Sequence, residues 1–309
     1  RWAFRDMAPV VWSFCKWIDE KAKKAGADKI LFLTREGAFF FPLFNQCALN
    51  QYDTDIFYAS RRSLLGASSD INWDIIYPYI KNMKVSFLAE LFHIPQEVFL
   101  SVFLKYDIKL HQDVWEIEKN TVDHVLLDLK DYIFEHAQQQ RANLLAYLKQ
   151  LRIGKTTAVV DIGWKGSSQN YLQRLLDSIG ENIHLIGLYF GEFYDSNNQS
   201  EKYGYLCSSQ DDARKLSVLN AGFVFENILS PQIGSVSAYE MRCGIAHPIV
   251  DDASKLNEKI LKDTQAGISD FFTKAVFMQQ RAGFHVPGEQ AVDEMFRTLN
   301  SPPMKLAKL

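Results

Sequence analysis

The chain has no CxxC, no HExxH, no basic excess and no apolar run of membrane-spanning length. Each absence removes a class of function. Cys15, Cys47, Cys207 and Cys243 are scattered along the sequence, so neither a disulfide framework nor a structural zinc site is expected, and the four read as reduced cysteines of an intracellular protein. The seven histidines are likewise dispersed, with no short pair at metal-ligand spacing. Lys and Arg number 34 against 37 Asp and Glu, a net charge of −3, which argues against broad nucleic-acid binding while allowing a local basic pocket. No stretch approaches the ~18–20 apolar residues of a membrane span, and no signal peptide opens the chain. A soluble, cytoplasmic protein is the expectation. There is no internal repeat and no low-complexity tract. The chain opens on Arg1-Trp2-Ala3 rather than Met, which reads as a domain of a larger protein.

What is present is a globular composition, 47% hydrophobic and 23% charged, over 309 residues, enough for one large domain or two ordinary ones. The stretch from Thr156 to Gly180 organises the rest. Val159 and Val160 close a β-branched apolar run, Asp161 ends it, and a loop with Gly163, Trp164, Lys165, Gly166, Ser167 and Ser168 leads into a helix with Leu172, Leu175, Leu176 and Ile179 on its apolar face. A strand-end carboxylate followed by backbone N–H groups at a helix N-terminus suits phosphorylated ligands in open α/β sheets.

Two further strand ends carry polar groups. Lys29 to Leu33 stops at Thr34-Arg35-Glu36-Gly37 before an amphipathic helix with Phe40, Leu43, Phe44 and Cys47 inward, and Asp55 to Ser60 stops at Arg61-Arg62. An amphipathic helix precedes them, from Pro9 to Gly26. From Ser68 to Arg152 the periodicity is helical throughout, then Ile183 to Phe190 reads as a buried strand. Strands alternating with helices predict an α/β fold with a parallel, Rossmann-like sheet flanked by helices. We expect the α/β core over 1–67 and 153–245, a large all-helical insertion over 68–152, and a helical C-terminal region over 246–309. Residues 195–212 read as loop around a short strand at Tyr203 to Cys207. The segment Gly222 to Glu240, with its Ser-Pro break, reads as a lid or hood, and Ser301-Pro302-Pro303 as a breaker.

Competing motifs fit poorly. Gly154-Lys155-Thr156 imitates the end of a P-loop, but Lys149 stands where the motif needs glycine, and the triplet precedes its strand instead of following it. Asp53-Thr54-Asp55 imitates the DxD of metal-dependent sugar transferases, yet it too precedes a strand. A dehalogenase-type phosphatase needs its DxD where Leu33-Thr34-Arg35 stands.

The central stretch resembles the ribose-phosphate loop of type I phosphoribosyltransferases. Asp161 fits the second acid of that motif, Gly166 its glycine and Ser168 its closing hydroxyl, while Val160 occupies the place of the first acid. Leu33-Thr34-Arg35-Glu36-Gly37 looks like the pyrophosphate loop of the same fold, and the strand order agrees. FLTREG, YASRRS, VDIGWKGSSQ, FEN and GSV together are similar to a module of bacterial polysaccharide-assembly proteins found beside a haloacid-dehalogenase-type phosphatase. That resemblance implies a cytoplasmic enzyme, peripheral at the inner face of the plasma membrane, that moves 5-phosphoribose from phosphoribosyl pyrophosphate to a hydroxyl of a lipid-linked glycan such as an O-antigen or capsule. The phosphatase module, in the same or a neighbouring chain, would be its partner.

Charge demand then suggests roles. Arg35, with Arg61 and Arg62 next, would neutralise the leaving pyrophosphate. Gly37 and the backbone from Gly163 to Ser168, with Lys165, would cradle phosphate, and Asp161 would bind ribose hydroxyls. Trp164 packs or stacks on a sugar. Mg²⁺ would be held mainly by donor phosphates and water, with no protein metal cluster. Glu36, Glu226 and Asp161 are candidate bases for the acceptor hydroxyl. Direct in-line attack would invert the donor to a β-ribofuranoside. The alternatives are a phosphate-ester hydrolase using the same pocket and a non-catalytic docking module.

Overall fold

A computed structural model describes residues 2–68, 77–78, 80–193, 200–208, 212–253 and 258–300. Two compact units divide the chain: residues 1–58, 153–235 and 252–309 form the first, and 59–152 with 236–251 the second.

The first unit is α/β. Its strands β1 (Lys29–Leu33), β2 (Asp53–Phe57), β3 (Thr156–Trp164), β4 (His184–Glu192) and β5 (Lys202–Gly204) make one parallel sheet in the order β2-β1-β3-β4-β5. Helices α1 (Ala8–Ala25) and α2 (Gly37–Cys47) arise early in this unit. Strands buried on both faces read as continuous apolar runs, and all five residues of β1 are buried. Period-two alternation assigns the faces. Ile30 and Phe32, Ala158, Val160 and Ile162, and Ile186, Leu188 and Phe190 share one core with α1 and α2. The opposite face carries Asp161 and its register partner Tyr189, and the helix after β3 packs against β4.

One charge sits inside this sheet. Lys29 opens β1 with only 2% of its side chain exposed, and its ammonium pairs with Asp53 at 2.9 Å and with Asp55. The Asp53-Thr54-Asp55 triplet therefore lies within β2, not before it, and supplies counter-charge at the amino edge of the sheet, away from the strand ends that bind ligands in such folds.

Among its described residues the second unit is helical apart from one hairpin. After α3 (Arg61–Ser68) come α4 (Ser86–Leu91), α5 (Gln96–Lys105), α6 (Lys119–Asp128) and α7 (Lys130–Gln150). Strands β6 (Val236–Arg242) and β7 (Ile245–Val250) pair antiparallel and pack on α3 and α7. The buried Asn143 and Gln140 side chains bond Tyr239 O and Tyr239 N, tying α7 to β6. His93 and His136, remote in sequence, stack with ring centroids 4.4 Å apart, and burial lowers both pKa values, His136 to about 4.

The structure redraws the segment expected as a lid. Residues Asp212–Leu229 form one long helix, α9, which stops at Ser230-Pro231, and the chain then enters β6. The expected boundary at 245/246 falls at the start of β7, whose hydrogen bonds to β6 keep it with the second unit. Helices α10 (Glu258–Ala282) and α11 (Gly288–Asn300) return to the first unit and pack on α1. The expected loop over 195–212 lies partly outside the described residues, and the breaker at 301–303 wholly so.

Lys29 gives a stability test. Removing both counter-charges, Asp53→Asn with Asp55→Asn, strands a buried ammonium and is expected to cost about 2 kcal/mol, discounted because both acids are roughly half exposed. Lys29→Met removes the charge itself and should stay within about 1 kcal/mol of the parent in urea unfolding. Equal losses in the two variants would refute the ion-pair account.

Candidate functional site

Strand order reverses at the β1/β3 pair, because β2 lies beyond β1 while β4 and β5 continue beyond β3. A crevice outside the carboxyl ends of those two strands is where open α/β sheets bind ligands. Two loops meet that edge. Thr34 to Glu36 leaves β1, and Lys165-Gly166 leaves β3 to enter α8 (Ser167–Ser178).

Backbone clearance sets both loops. A Cβ on Gly37 would stand 2.8 Å from Phe32 C and 2.9 Å from Val160 O, so glycine lets the start of α2 lie directly against β1 and β3. β3 continues three residues beyond Asp161, where the sequence placed its end, pairing Gly163 with Gly191 and Trp164 with Glu192. Gly163 has φ +117°, and a Cβ there would stand 2.0 Å from Gly191 O. Asp161 is consequently a residue within the strand. Its carboxylate accepts the Ile162 N–H at 2.8 Å and raises the pKa of buried Tyr189, whose shift comes chiefly from desolvation.

The extension delivers Trp164 to the other face. Its ring stacks on Phe193 at 5.4 Å and 14°, and its indole N–H donates to Glu226 Oε1 at 2.8 Å. Glu226 projects from α9, one turn after Gly222, which lies against the same indole ring. Glu36, the residue preceding α2, is 6% exposed, and its pKa is raised from the ordinary carboxylate value. Desolvation is the main cause. Arg35 opposes it, Glu226 adds a like charge, and the nearby Ser230 hydroxyl offsets it slightly. The Arg35 guanidinium is half exposed and stands 3.7 Å from Glu36, an ion-pair distance too long for a hydrogen bond.

Arg35, Glu36, Trp164 and Glu226 therefore form one cluster. Asp161 belongs to the α8 face instead, with Gly166, Ser167 and Ser168 at the N-terminus of α8. Gly166 takes φ +62°, and its carbonyl accepts the Asn170 N–H while the Ser167 and Ser168 side chains stay half buried without capping the helix. Lys165 is exposed, and its carbonyl receives the Lys202 ammonium, which also bonds Asn170. Arg61 and Arg62 open α3 in the second unit. Arg61 is exposed, and Arg62 is engaged with Asp251.

Two contributors escaped the sequence reading. Gln169 of the WKGSSQ run is 1% exposed and bonds Leu185 O, Glu201 O and the Tyr189 hydroxyl, fixing α8 to β4 and to the segment before β5. Glu192 is a second buried carboxylate, 4% exposed, at the end of β4. Only its place at a strand end could have flagged it. Among the described residues no group of three or more His, Cys, Asp or Glu could hold a metal ion, and no helix is long and apolar enough to cross a membrane. No family model matches the chain, and no curated protein matches it significantly.

Two measurements probe this geometry. Gly163→Ala should lose about 3 kcal/mol or more, because its Cβ meets backbone, whereas Gly180→Ala, also at positive φ but in open space, should lose about 1 kcal/mol. Glu36 yields a pH signature. A carboxyl whose folded pKa exceeds its unfolded value of about 4.5 stabilises the fold below that value and loses the contribution as pH rises through the raised one. Glu36→Gln should therefore be more stable than the parent at pH 7 and lose that advantage toward pH 4, read as the difference in thermal midpoints. A constant difference across the range would contradict a raised Glu36 pKa.

Proposed function

We propose that this chain is a phosphoribosyltransferase-like glycosyltransferase, with the second unit as an insertion, that transfers 5-phosphoribose from phosphoribosyl pyrophosphate to a hydroxyl of a bacterial glycan. One observation carries the reading. At the switch point of a parallel sheet, a cation-bearing loop after β1 and a glycine-opened helix N-terminus after β3 flank the same strand edge.

In this reading the N-terminus of α8, with Ser167 and Ser168, holds the 5-phosphate through backbone N–H groups and the helix dipole. Asp161, on the same sheet face, accepts hydrogen bonds from ribose hydroxyls. Arg35, half exposed and only loosely held by Glu36, is available to the departing pyrophosphate, where negative charge develops as the C1–O bond breaks. Asp161 supplies the hard oxygen that Mg²⁺ favours, and a donor-bound Mg²⁺ would add charge neutralisation while keeping most of its ligands from phosphate and water. The acceptor hydroxyl then attacks C1 opposite the leaving group, giving the β-ribofuranoside.

A second reading has its own observation. Val160, at the place of the first acid, is fully buried in the apolar core, so a single strand acid remains to hold the ribose, as a docking module descended from such a fold would show.

The decisive assay supplies phosphoribosyl pyrophosphate and Mg²⁺ with a set of methyl hexopyranosides and short glycans, and follows pyrophosphate release together with acceptor mass. Acceptor-dependent gain of one phosphoribosyl unit is expected, falling about 10²–10³-fold in Arg35→Ala and Asp161→Asn variants that remain folded. Phosphate release without acceptor would indicate a hydrolase. Absence of donor binding in calorimetry would leave the docking module.

A further inference from the structure

Asp161, Glu36 and Glu226, three of the carboxylates at the strand edge, are chemically competent to take a proton from an acceptor hydroxyl, and the structure separates them. Asp161 lies on the α8 face, with one oxygen committed to the Ile162 N–H. Glu36 is nearly sealed from solvent and biased toward its neutral form by burial and by the neighbouring Glu226. Glu226 is half buried on α9, and the Trp164 N–H fixes one of its two oxygens. The indole cannot swing, because it is stacked on Phe193 and backed by Gly191 and Gly222.

Burial, with the neighbouring Glu226, raises the Glu36 pKa and favours its neutral form. Glu226 is the more accessible of the two carboxyls, and the indole holds only one of its oxygens.

We propose that Glu226 is the base that removes the acceptor hydroxyl's proton and that Trp164 is the positioning residue that orients it. The inference rests on the transferase reading above. As the C1–O bond to pyrophosphate breaks, its electron pair leaves with pyrophosphate. The acceptor oxygen forms the new bond to C1, and its proton passes to the Glu226 oxygen not held by the indole. The proton returns to solvent after product leaves.

The test uses the whole chain with phosphoribosyl pyrophosphate, Mg²⁺ and whichever methyl hexopyranoside or short glycan gives transfer in the parent. Glu226→Gln should lower kcat for transfer by about 10²-fold or more while leaving the calorimetric Kd for phosphoribosyl pyrophosphate within about twofold. Trp164→Phe keeps an aromatic ring on Phe193 but deletes the N–H. It should lower kcat about 10-fold with the Kd for phosphoribosyl pyrophosphate unchanged within about twofold, and it should cost little further when combined with Glu226→Gln, because the group it orients is already gone. A merely structural Trp164 would lower the double variant by the product of the two single losses. Transfer within about threefold of the parent in Glu226→Gln, or multiplicative losses in the double variant, overturns the assignment while leaving the transferase reading intact. A parent that neither binds the donor nor transfers overturns the transferase reading and the assignment with it.

Discussion

The pairing of Gly163 with Gly191 is the contact on which the site depends. Two strands that would otherwise part after Asp161 remain hydrogen bonded for three more residues, and they do so because neither partner carries a Cβ at the crossing. That extension turns Trp164 inward onto Phe193 and Glu226, and it leaves Lys165-Gly166 as the short link into α8. Shortening β3 by those residues would release the indole and with it the hydrogen bond that orients the Glu226 carboxylate. A packing constraint at one backbone crossing is thereby converted into the orientation of a charged group.

The same edge shows why its two sides differ in character. On the α8 face the polar atoms are satisfied by a dense local network: Tyr189 to Gln169, and Gln169 to two backbone carbonyls. Buried polar groups satisfied in this way rigidify their surroundings, which suits a fixed phosphate cradle. On the opposite face, Glu36 and Glu226 share one neighbourhood with a single loosely held guanidinium. The Glu226 charge beside buried Glu36 opposes ionisation of Glu36, and in the transferase reading that face would meet the leaving anion.

Much of the frame was legible in the sequence. The apolar runs of β1, β3 and β4 and the helices over 8–25, 37–47 and 167–178 follow from periodicity, and glycines mark their junctions. Asp161 ended the predicted strand because aspartate is a poor strand former, but sheet pairing on both sides outweighs local propensity. Asp53-Thr54-Asp55 was placed before its strand, which was expected to start only at Asp55, whereas β2 begins at Asp53, with Lys29 across the register as counter-charge. The 222–240 segment was read as a lid from its Ser-Pro break, and the apolar residues of the helix before that break lie on more than one side. Val218, Phe225 and Leu229 are buried, while Leu216 and Phe223 stay exposed, so the single-face pattern that identifies a helix is blurred. Gln169 carried no signal at all, since only the distant carbonyls of Leu185 and Glu201 give it a role.

Arg35 and Glu36 illustrate how far adjacency in sequence can mislead. Read as neighbours, they form an ordinary surface ion pair, worth about 0–1 kcal/mol. In the fold they are divided by burial: the guanidinium remains about half exposed, and the carboxyl beside it is 6% exposed. The 3.7 Å gap leaves the arginine able to accept a second anion without first breaking a hydrogen bond to Glu36. The cost of burying Glu36 is offset in part by Ser230 and in part by Arg35, and the remainder appears as its raised pKa. An anion arriving at Arg35 would weaken the positive field at Glu36 and drive its pKa further upward. In the transferase reading, donor binding at Arg35 would therefore raise the Glu36 pKa further, coupling the two through one arginine.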